Sequence, residues 1–141
     1  MTALQAGHIV RERAENRARS LPIAASTVCW EGGMVALSGT GSAAVAVPAS
    51  ANSALKVVGV CDATTDNRLG SAGALAVPTR VGTFLMNNSA TDPLAIGDIG
   101  SACYAADDNT VSKTNGSGTQ PQAGAVFDID APTGNVWVKF S

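Results

Sequence analysis

The chain has 141 residues, a formal net charge of −2 and an apolar content of 45 %, with only 4 % aromatic residues. This length fits one domain, or one domain with an arm. The apolar content is too high, and the net charge too low, for intrinsic disorder. The sequence has no apolar run long enough for a membrane-spanning helix, and its slight acidity disfavours a basic nucleic-acid-binding face.

Alanine and valine make up most of the apolar residues. Burial stabilises a protein by roughly 25 cal/mol per Å² of apolar surface, and these small side chains bury less area than leucine or phenylalanine. We therefore expect a thin core, with part of the stability coming from contacts with other subunits or a partner.

Residues 1–20 form an arm whose charge is opposite to that of the rest. Four arginines and two glutamates give the arm +2, whereas five basic and nine acidic residues give the remainder −4. This pattern predicts a cationic arm that reaches for an anionic surface. A solvated helix remains the alternative, because Glu15 lies four residues from both Arg11 and Arg19. The arginines of the arm are Arg11, Arg13, Arg17 and Arg19.

The aliphatic residues of the arm before Leu21 are Leu4, Ile9 and Val10. They do not form a wide helical stripe, so the arm can bury little surface against its own domain. We expect it to be extended or only locally helical when isolated, and to become ordered on a neighbouring subunit or a larger assembly. Residues 21–141 then form the folded, β-rich domain.

From residue 21 onward, apolar and polar residues alternate, and turn-forming residues recur about every 8–12 positions. This pattern predicts an all-β fold, a small barrel or sandwich of about ten short strands. Residues 62–72 and 115–122 are predicted to be polar loops. The predicted strands are Ile23–Trp30, Met34–Leu37, Ala43–Val47, Leu55–Cys61, Ala74–Thr79, Gly82–Met86, Ala102–Ala106, Thr110–Lys113, Ala125–Ile129 and Val136–Phe140.

Two of these strands carry a finer signal. Leu55–Cys61 has apolar residues on both faces, which predicts a strand covered on both sides. In the last predicted strand, Val136, Val138 and Phe140 share one face, and Trp137 and Lys139 share the other.

The residues that could carry catalysis are sparse. His8 is the only histidine, and the three cysteines, Cys29, Cys61 and Cys103, lack the spacing of a disulfide framework or a metal site. Their apolar surroundings predict buried free thiols and a reducing compartment. Asp107 and Asp108 are typical of a turn, and the pair Asp128 and Asp130 is typical of a solvated strand face. We expect no catalytic residues, no metal and no cofactor.

The large amphipathic aromatic residues are Trp30, Tyr104 and Trp137. Such side chains are enriched at buried interfaces, which makes them candidate anchors for a partner. Packing inside the core is the alternative for each of them.

Ten short stretches recur along the chain in a familiar order: Gly33–Leu37, Val57–Val60, Gly82–Leu85, Asn88–Ala90, Ile96–Gly100, Cys103–Tyr104, Asp107–Asp108, Thr110–Thr114, Ala123–Asp130 and Gly134–Val138. In sequence and spacing they resemble the capsid cement (decoration) proteins of tailed bacteriophages. The likeness covers most of residues 20–141, and it is most specific between residues 96 and 138. The early part of the chain, with its few charges, many alanines and arginine-rich arm, departs most from the family.

The resemblance implies a small β-rich domain, usually trimeric, that sits on the outer face of the capsid and is not an enzyme. The expected partners are the major capsid protein and two further copies of this chain, with no nucleic acid, membrane or small-molecule substrate. The expected location is the outer capsid surface of the virion, after synthesis in the host cytoplasm. The candidate contact residues are Leu4, Ile9, Val10, Arg11, Arg13, Arg17, Arg19, Trp30 and Trp137.

Two other functions compete with this one. A phage fibre or adhesion module would bind host-surface glycans, and exposed aromatic residues around a concave site would favour it. A small hydrolase or lyase on a β-barrel is disfavoured by the single histidine, which lies in the arm.

Overall fold

The computed structural model describes residues 17–141, and this part of the chain is nearly all β. The prediction of an all-β fold containing a barrel is confirmed, with twelve strands rather than about ten. Residues 17–141 also make two short 3-10 turns, Gly41–Ala43 and Ile96–Asp98. The strands are β1 (Ala18–Pro22), β2 (Thr27–Cys29), β3 (Met34–Ser38), β4 (Val45–Pro48), β5 (Lys56–Cys61), β6 (Thr65–Asn67), β7 (Ala76–Arg80), β8 (Gly82–Asn88), β9 (Ala102–Ala105), β10 (Thr110–Ser112), β11 (Gln122–Ile129) and β12 (Val136–Phe140).

The first half of the domain is a five-stranded antiparallel sheet in the order β1-β7-β5-β3-β4. Directly after β1, Ile23 forms a parallel bridge to Ala46 on β4, which joins the two outer strands and curls the sheet. The ribbon of β2 and β6 accompanies this sheet. The curled side holds a small core of Ile23, Cys29, Val35, Ala46, Cys61 and Val77.

The second half is a closed barrel in the order β10-β8-β12-β11-β9. Its pairs are antiparallel except for β10 with β8, which run parallel. The barrel interior is filled mainly by valines and small residues, so the barrel is packed rather than hollow. The buried side chains that these five strands contribute are Met86, Cys103, Ala105, Val111, Ala123, Val126, Val136, Val138 and Phe140.

Strands β3 and β5 connect the two halves, because their successive side chains enter different cores. Met34 and Val60 belong to the large core that continues into the barrel, whereas Val35 and Cys61 belong to the small core. The prediction that Leu55–Cys61 is covered on both sides is therefore confirmed.

The three cysteines are free and buried, as predicted. Burial raises the pKa of Cys29 to about 12 and that of Cys103 to about 11, and it also raises the pKa of Cys61. All three thiols therefore stay protonated at neutral pH.

The prediction of one continuous strand over Ile23–Trp30 is wrong. The chain turns at Ala25 and Ser26, where Ser26 has a φ of 55°, and the Thr27 hydroxyl donates to the carbonyl of Ala25 at 2.8 Å. The short strand β2 that follows pairs with β6 instead of continuing β1.

Strand β6 lies inside the segment 62–72, which the sequence predicts to be a loop. Its inward side chains are polar: Thr65 donates to the carbonyl of Ala63, and the Asn67 amide donates to the carbonyls of Ala24 and Ser71. The buried side chains of β6 are thus stabilised by hydrogen bonds rather than by apolar contacts. The sequence therefore lacks the alternation of apolar and polar residues from which a strand is predicted.

The folded sheet begins within the segment predicted as the arm. Ala18, Arg19 and Ser20 pair with Arg80, Thr79 and Pro78 in β7, so the boundary lies before residue 18 rather than at residue 20. The backbone of Arg17 also accepts a hydrogen bond from Val81. The predictions for the earlier part of the arm lie outside the described residues.

Gly124 stands where β11 passes closest to β12. A Cβ atom there would overlap the carbonyl oxygen of Lys139 and come within 3.0 Å of Val138 Cγ1. We expect Gly124→Ala to lower the free energy of unfolding by about 1–3 kcal/mol, because two paired strands must move apart. Urea denaturation measures this loss. Gly97→Ala is the control, since a Cβ there meets nothing within 4 Å, and equal stability losses in both variants would contradict the prediction.

The buried thiols give a second prediction. At pH 8 the native protein is expected to react slowly with a disulfide reagent, because the reactive thiolate is scarce and its surroundings are closed. Addition of denaturant should make all three thiols react rapidly. The pKa values of these thiols are higher in the folded state than in the unfolded state. The free energy of unfolding therefore keeps its full value below the pKa of the unfolded thiols and falls as the pH rises above it. Fast labelling without denaturant would show that the core is open.

Candidate interaction surface

The outward side of the barrel carries Trp137 and Leu85, which are paired across β12 and β8. Their neighbours Val136, Val138 and Met86 point inward and are buried. The predicted division of the last strand, with Trp137 and Lys139 on the face opposite the core, is confirmed. Leu85 is exposed and Trp137 is half-buried, so apolar surface faces solvent at the middle of the barrel wall.

A β-bulge adds a third large side chain to this wall. Val126 pairs with Val138 and Asp128 with Trp137, which leaves Phe127 as the extra residue of β11. Phe127 is 61 % exposed, on the side opposite its buried neighbour Val126, as strand alternation requires. The bulge turns Asp128 outward as well, opposite Trp137.

The 3-10 turn Ile96–Asp98 lies next to this bulge. Gly100 donates to the carbonyl of Val126, and Val126 donates to the carbonyl of Ser101. Ile96 is 76 % exposed, and Ile99 is also exposed. We call this surface the barrel face; its residues are Leu85, Ile96, Ile99, Phe127 and Trp137.

Charged residues of both signs border the barrel face. Lys139 lies beside Trp137 on β12, and Asp128 is paired with Trp137 from β11. Lys113 Nζ lies 3.7 Å from Asp98 Oδ1 in the adjoining turn. An apolar centre with a charged rim is the usual composition of a protein–protein interface.

Trp30, the other predicted contact tryptophan, lies elsewhere, directly after β2. The guanidinium of Arg68 lies over its ring at 5.8 Å from the centroid. Arg68 is held in turn by Asp66, through hydrogen bonds of 2.9 and 2.6 Å, and these bonds hold the pKa of Asp66 at about 2. Trp30 remains 52 % exposed.

Two of the four predicted contact arginines fall within the described residues. Arg17 directly precedes β1 and Arg19 lies within it, and Ala18 between them pairs with Arg80 on β7. Arg80 pairs with Asp62 at 3.1 Å and lies over the ring of Phe84. This end of the sheet is therefore basic. The predicted contacts Leu4, Ile9, Val10, Arg11 and Arg13 lie outside the described residues.

The other residues considered from the sequence fall into structural positions. Asp107 accepts a hydrogen bond from the backbone of Asn109 in the β9–β10 turn, and Asp130 accepts one from the Thr133 hydroxyl in the β11–β12 turn. Within residues 17–141, no three His, Cys, Asp or Glu side chains are grouped so as to hold a metal ion. The described segment also contains no helix long and apolar enough to cross a membrane.

Four residues of the barrel face were not among the sequence-based candidates: Leu85, Ile96, Ile99 and Phe127. Strand alternation predicts the outward side of Leu85, because Phe84 and Met86 face inward. The same alternation, counted from the buried Val126, places Phe127 outward, and the bulge breaks it only at the next residue, Asp128, which is also exposed.

Comparison with known proteins finds no family model, no curated protein and no solved structure that matches this chain. The function is therefore argued from the residues and surfaces described above.

Proposed function

We propose that this chain is a structural protein of a phage virion, a decoration protein that binds the outer surface of an assembled capsid and reinforces it. It acts by binding rather than by catalysis, and its partners are the major capsid protein and further copies of itself. The observation that carries this proposal is the barrel face, where a single subunit exposes four apolar side chains on elements that adjoin the half-buried Trp137. The sequence resemblance supports the same function.

The barrel face serves as the contact between subunits in this proposal. Large exposed apolar patches on small proteins mark interaction sites. Interfaces that are permanent are more apolar than transient ones, and the side chains here are phenylalanine, tryptophan, leucine and isoleucine. A symmetric trimer would cover three barrel faces at once, and it would present three identical sites for attachment to the capsid.

The basic end of the first sheet serves as the contact with the capsid. Arg17 and Arg19 continue the cationic arm predicted from the sequence, and arginine forms bidentate hydrogen bonds with carboxylates. Each such contact is weak when exposed. A trimer presents three sets of them together, so that the combined attachment exceeds any single one.

The subunit contact is tested by Phe127→Ser combined with Ile96→Ser. We expect the wild-type chain to be a trimer by light scattering at micromolar concentration and the double variant to be a monomer, because the centre of the apolar contact becomes polar. Because both side chains are exposed, the free energy of unfolding of the double variant should differ from that of the wild-type monomer by no more than about 0.5 kcal/mol. Leu69→Ser, at a fully exposed leucine outside the barrel face, is the matched control. A monomeric wild-type chain, both in solution and on capsids, would refute the trimer.

The capsid contact is tested by adding purified protein to capsids of the encoding phage that lack it. We expect saturable binding that weakens with added salt, because the contacts are between exposed charges. Replacement of Arg11, Arg13, Arg17 and Arg19 by Ala should lower occupancy sharply at low salt and remove most of the salt dependence.

Lys56→Ala is the control for this experiment, since Lys56 is an exposed cation on β5, away from the basic end. Its occupancy should equal that of wild type. Lack of wild-type binding to such capsids at any salt concentration would overturn the capsid function, whatever the oligomeric state.

A further inference from the structure

Trp30 lies at a cleft between the two halves of the domain. One wall is the turn between β2 and β3, and the other is the turn between β9 and β10. A hydrogen bond of 2.7 Å from the Met34 backbone to the Asp108 carbonyl fixes the two walls relative to each other. The cleft has a volume of about 310 Å³, which lies at the small end of the range for ligand sites. Its lining residues are Trp30, Glu31, Gly32, Gly33, Asp108 and Asn109, and we call it the Trp30 cleft.

The aromatic wall of this cleft is held in place. Asp66 holds Arg68, and Arg68 lies over one face of the Trp30 indole, which orients the ring and leaves the residue half-exposed. A rigid aromatic anchor binds at a lower entropic cost than a mobile one. A flat, half-exposed indole offers an apolar surface to the C–H face of a sugar ring, and its N–H offers a hydrogen-bond donor.

The polar wall presents hydrogen-bonding groups that the fold leaves open. Among the described residues, the side chains of Glu31 and Asn109 take part in no hydrogen bond, although the backbones of both are fixed by bonds to Thr64 and Asp107. The carboxylate of Asp108 lies against Gly33, where an added Cβ would come within 3.3 Å of Oδ2. Carboxylates and an amide together match the hydroxyl groups of a sugar, which donate and accept.

Charge narrows the class of ligand. Asp66 neutralises Arg68 beside Trp30, so the carboxylates of Glu31 and Asp108 give the cleft a negative potential. Partial burial, together with the neighbouring Asp107, raises the pKa of Asp108. A sugar acid or a phosphorylated sugar would add a further negative charge to this site and be repelled. A neutral sugar carries no such penalty.

We propose that the Trp30 cleft binds a neutral pyranose of a glycan, with the sugar ring on Trp30 and its hydroxyls on Glu31, Asp108 and Asn109. The barrel face and the arm take no part in this site, so the proposal is independent of capsid binding. On a capsid that carries many copies of this protein, each copy would contribute one weak glycan contact, and the many contacts together would bind a glycan-covered surface more tightly than one alone.

The test is an NMR titration of the full ¹⁵N-labelled chain with maltotriose, mannotriose, galactotriose and tri-N-acetylchitotriose, each at millimolar concentration. At least one of these sugars is expected to shift the Trp30 indole signal and the amide signals of residues 31–33, 108 and 109. Sialyllactose should bind at least about tenfold more weakly than lactose, measured in parallel.

Variants locate the binding. Trp30→Ala should abolish the shifts, Trp30→Phe should retain part of the affinity, and Asn109→Ala should weaken binding by about tenfold. Leu75→Ala is the matched control, because it removes an exposed apolar side chain that belongs neither to the Trp30 cleft nor to the barrel face, and it should bind as wild type. Thermal melting verifies that each variant is folded.

The proposal is overturned if none of these neutral sugars shifts the cleft signals, or if Trp30→Ala binds as tightly as wild type. Shifts confined to other regions of the chain would also overturn it. None of these results depends on whether the protein binds capsids.

Discussion

The fold depends on one pair of strands, β3 and β5, whose two faces are both buried. Met34 and Val60 point into the core shared with the barrel, and Val35 and Cys61 point into the core of the curled sheet. A shift of this pair by one residue would exchange the two sets of side chains and ruin both cores. The position of every surface described above follows from this register, because each half of the domain packs against one face of the pair.

Small residues make this double packing possible. Ala36, Ala46 and Ala105 are completely buried, and Gly59 and Gly124 lie where neighbouring backbones leave no room for a Cβ atom. Close backbone approach gives dense packing with little apolar area per residue. The large apolar side chains Phe127 and Ile96 are thereby left outside, where they can bind a partner.

The sequence predicts those strands that carry apolar alternation. The prediction for Val136–Phe140 matches β12 residue for residue, including the outward side of Trp137. Strand β6 was missed, because its buried side chains, Thr65 and Asn67, are polar. Alternation from the buried Val126 gives the outward side of Phe127, whereas the bulge that also turns Asp128 outward is not determined by local sequence. The Trp30 cleft is formed by residues 30–33 and 108–109, which only the tertiary fold brings together.

The strand order of the barrel also makes one strand responsible for its closure. Strand β12 is the last of the twelve described strands along the chain, yet it lies between β8 and β11. Without β12, β8 and β11 would be the open edges of a four-stranded sheet in the order β8-β10-β9-β11. Open edges pair readily with other chains. Residues 136–140 therefore do more than fill the core with Val136, Val138 and Phe140: they cover both edges and protect the barrel from aggregation.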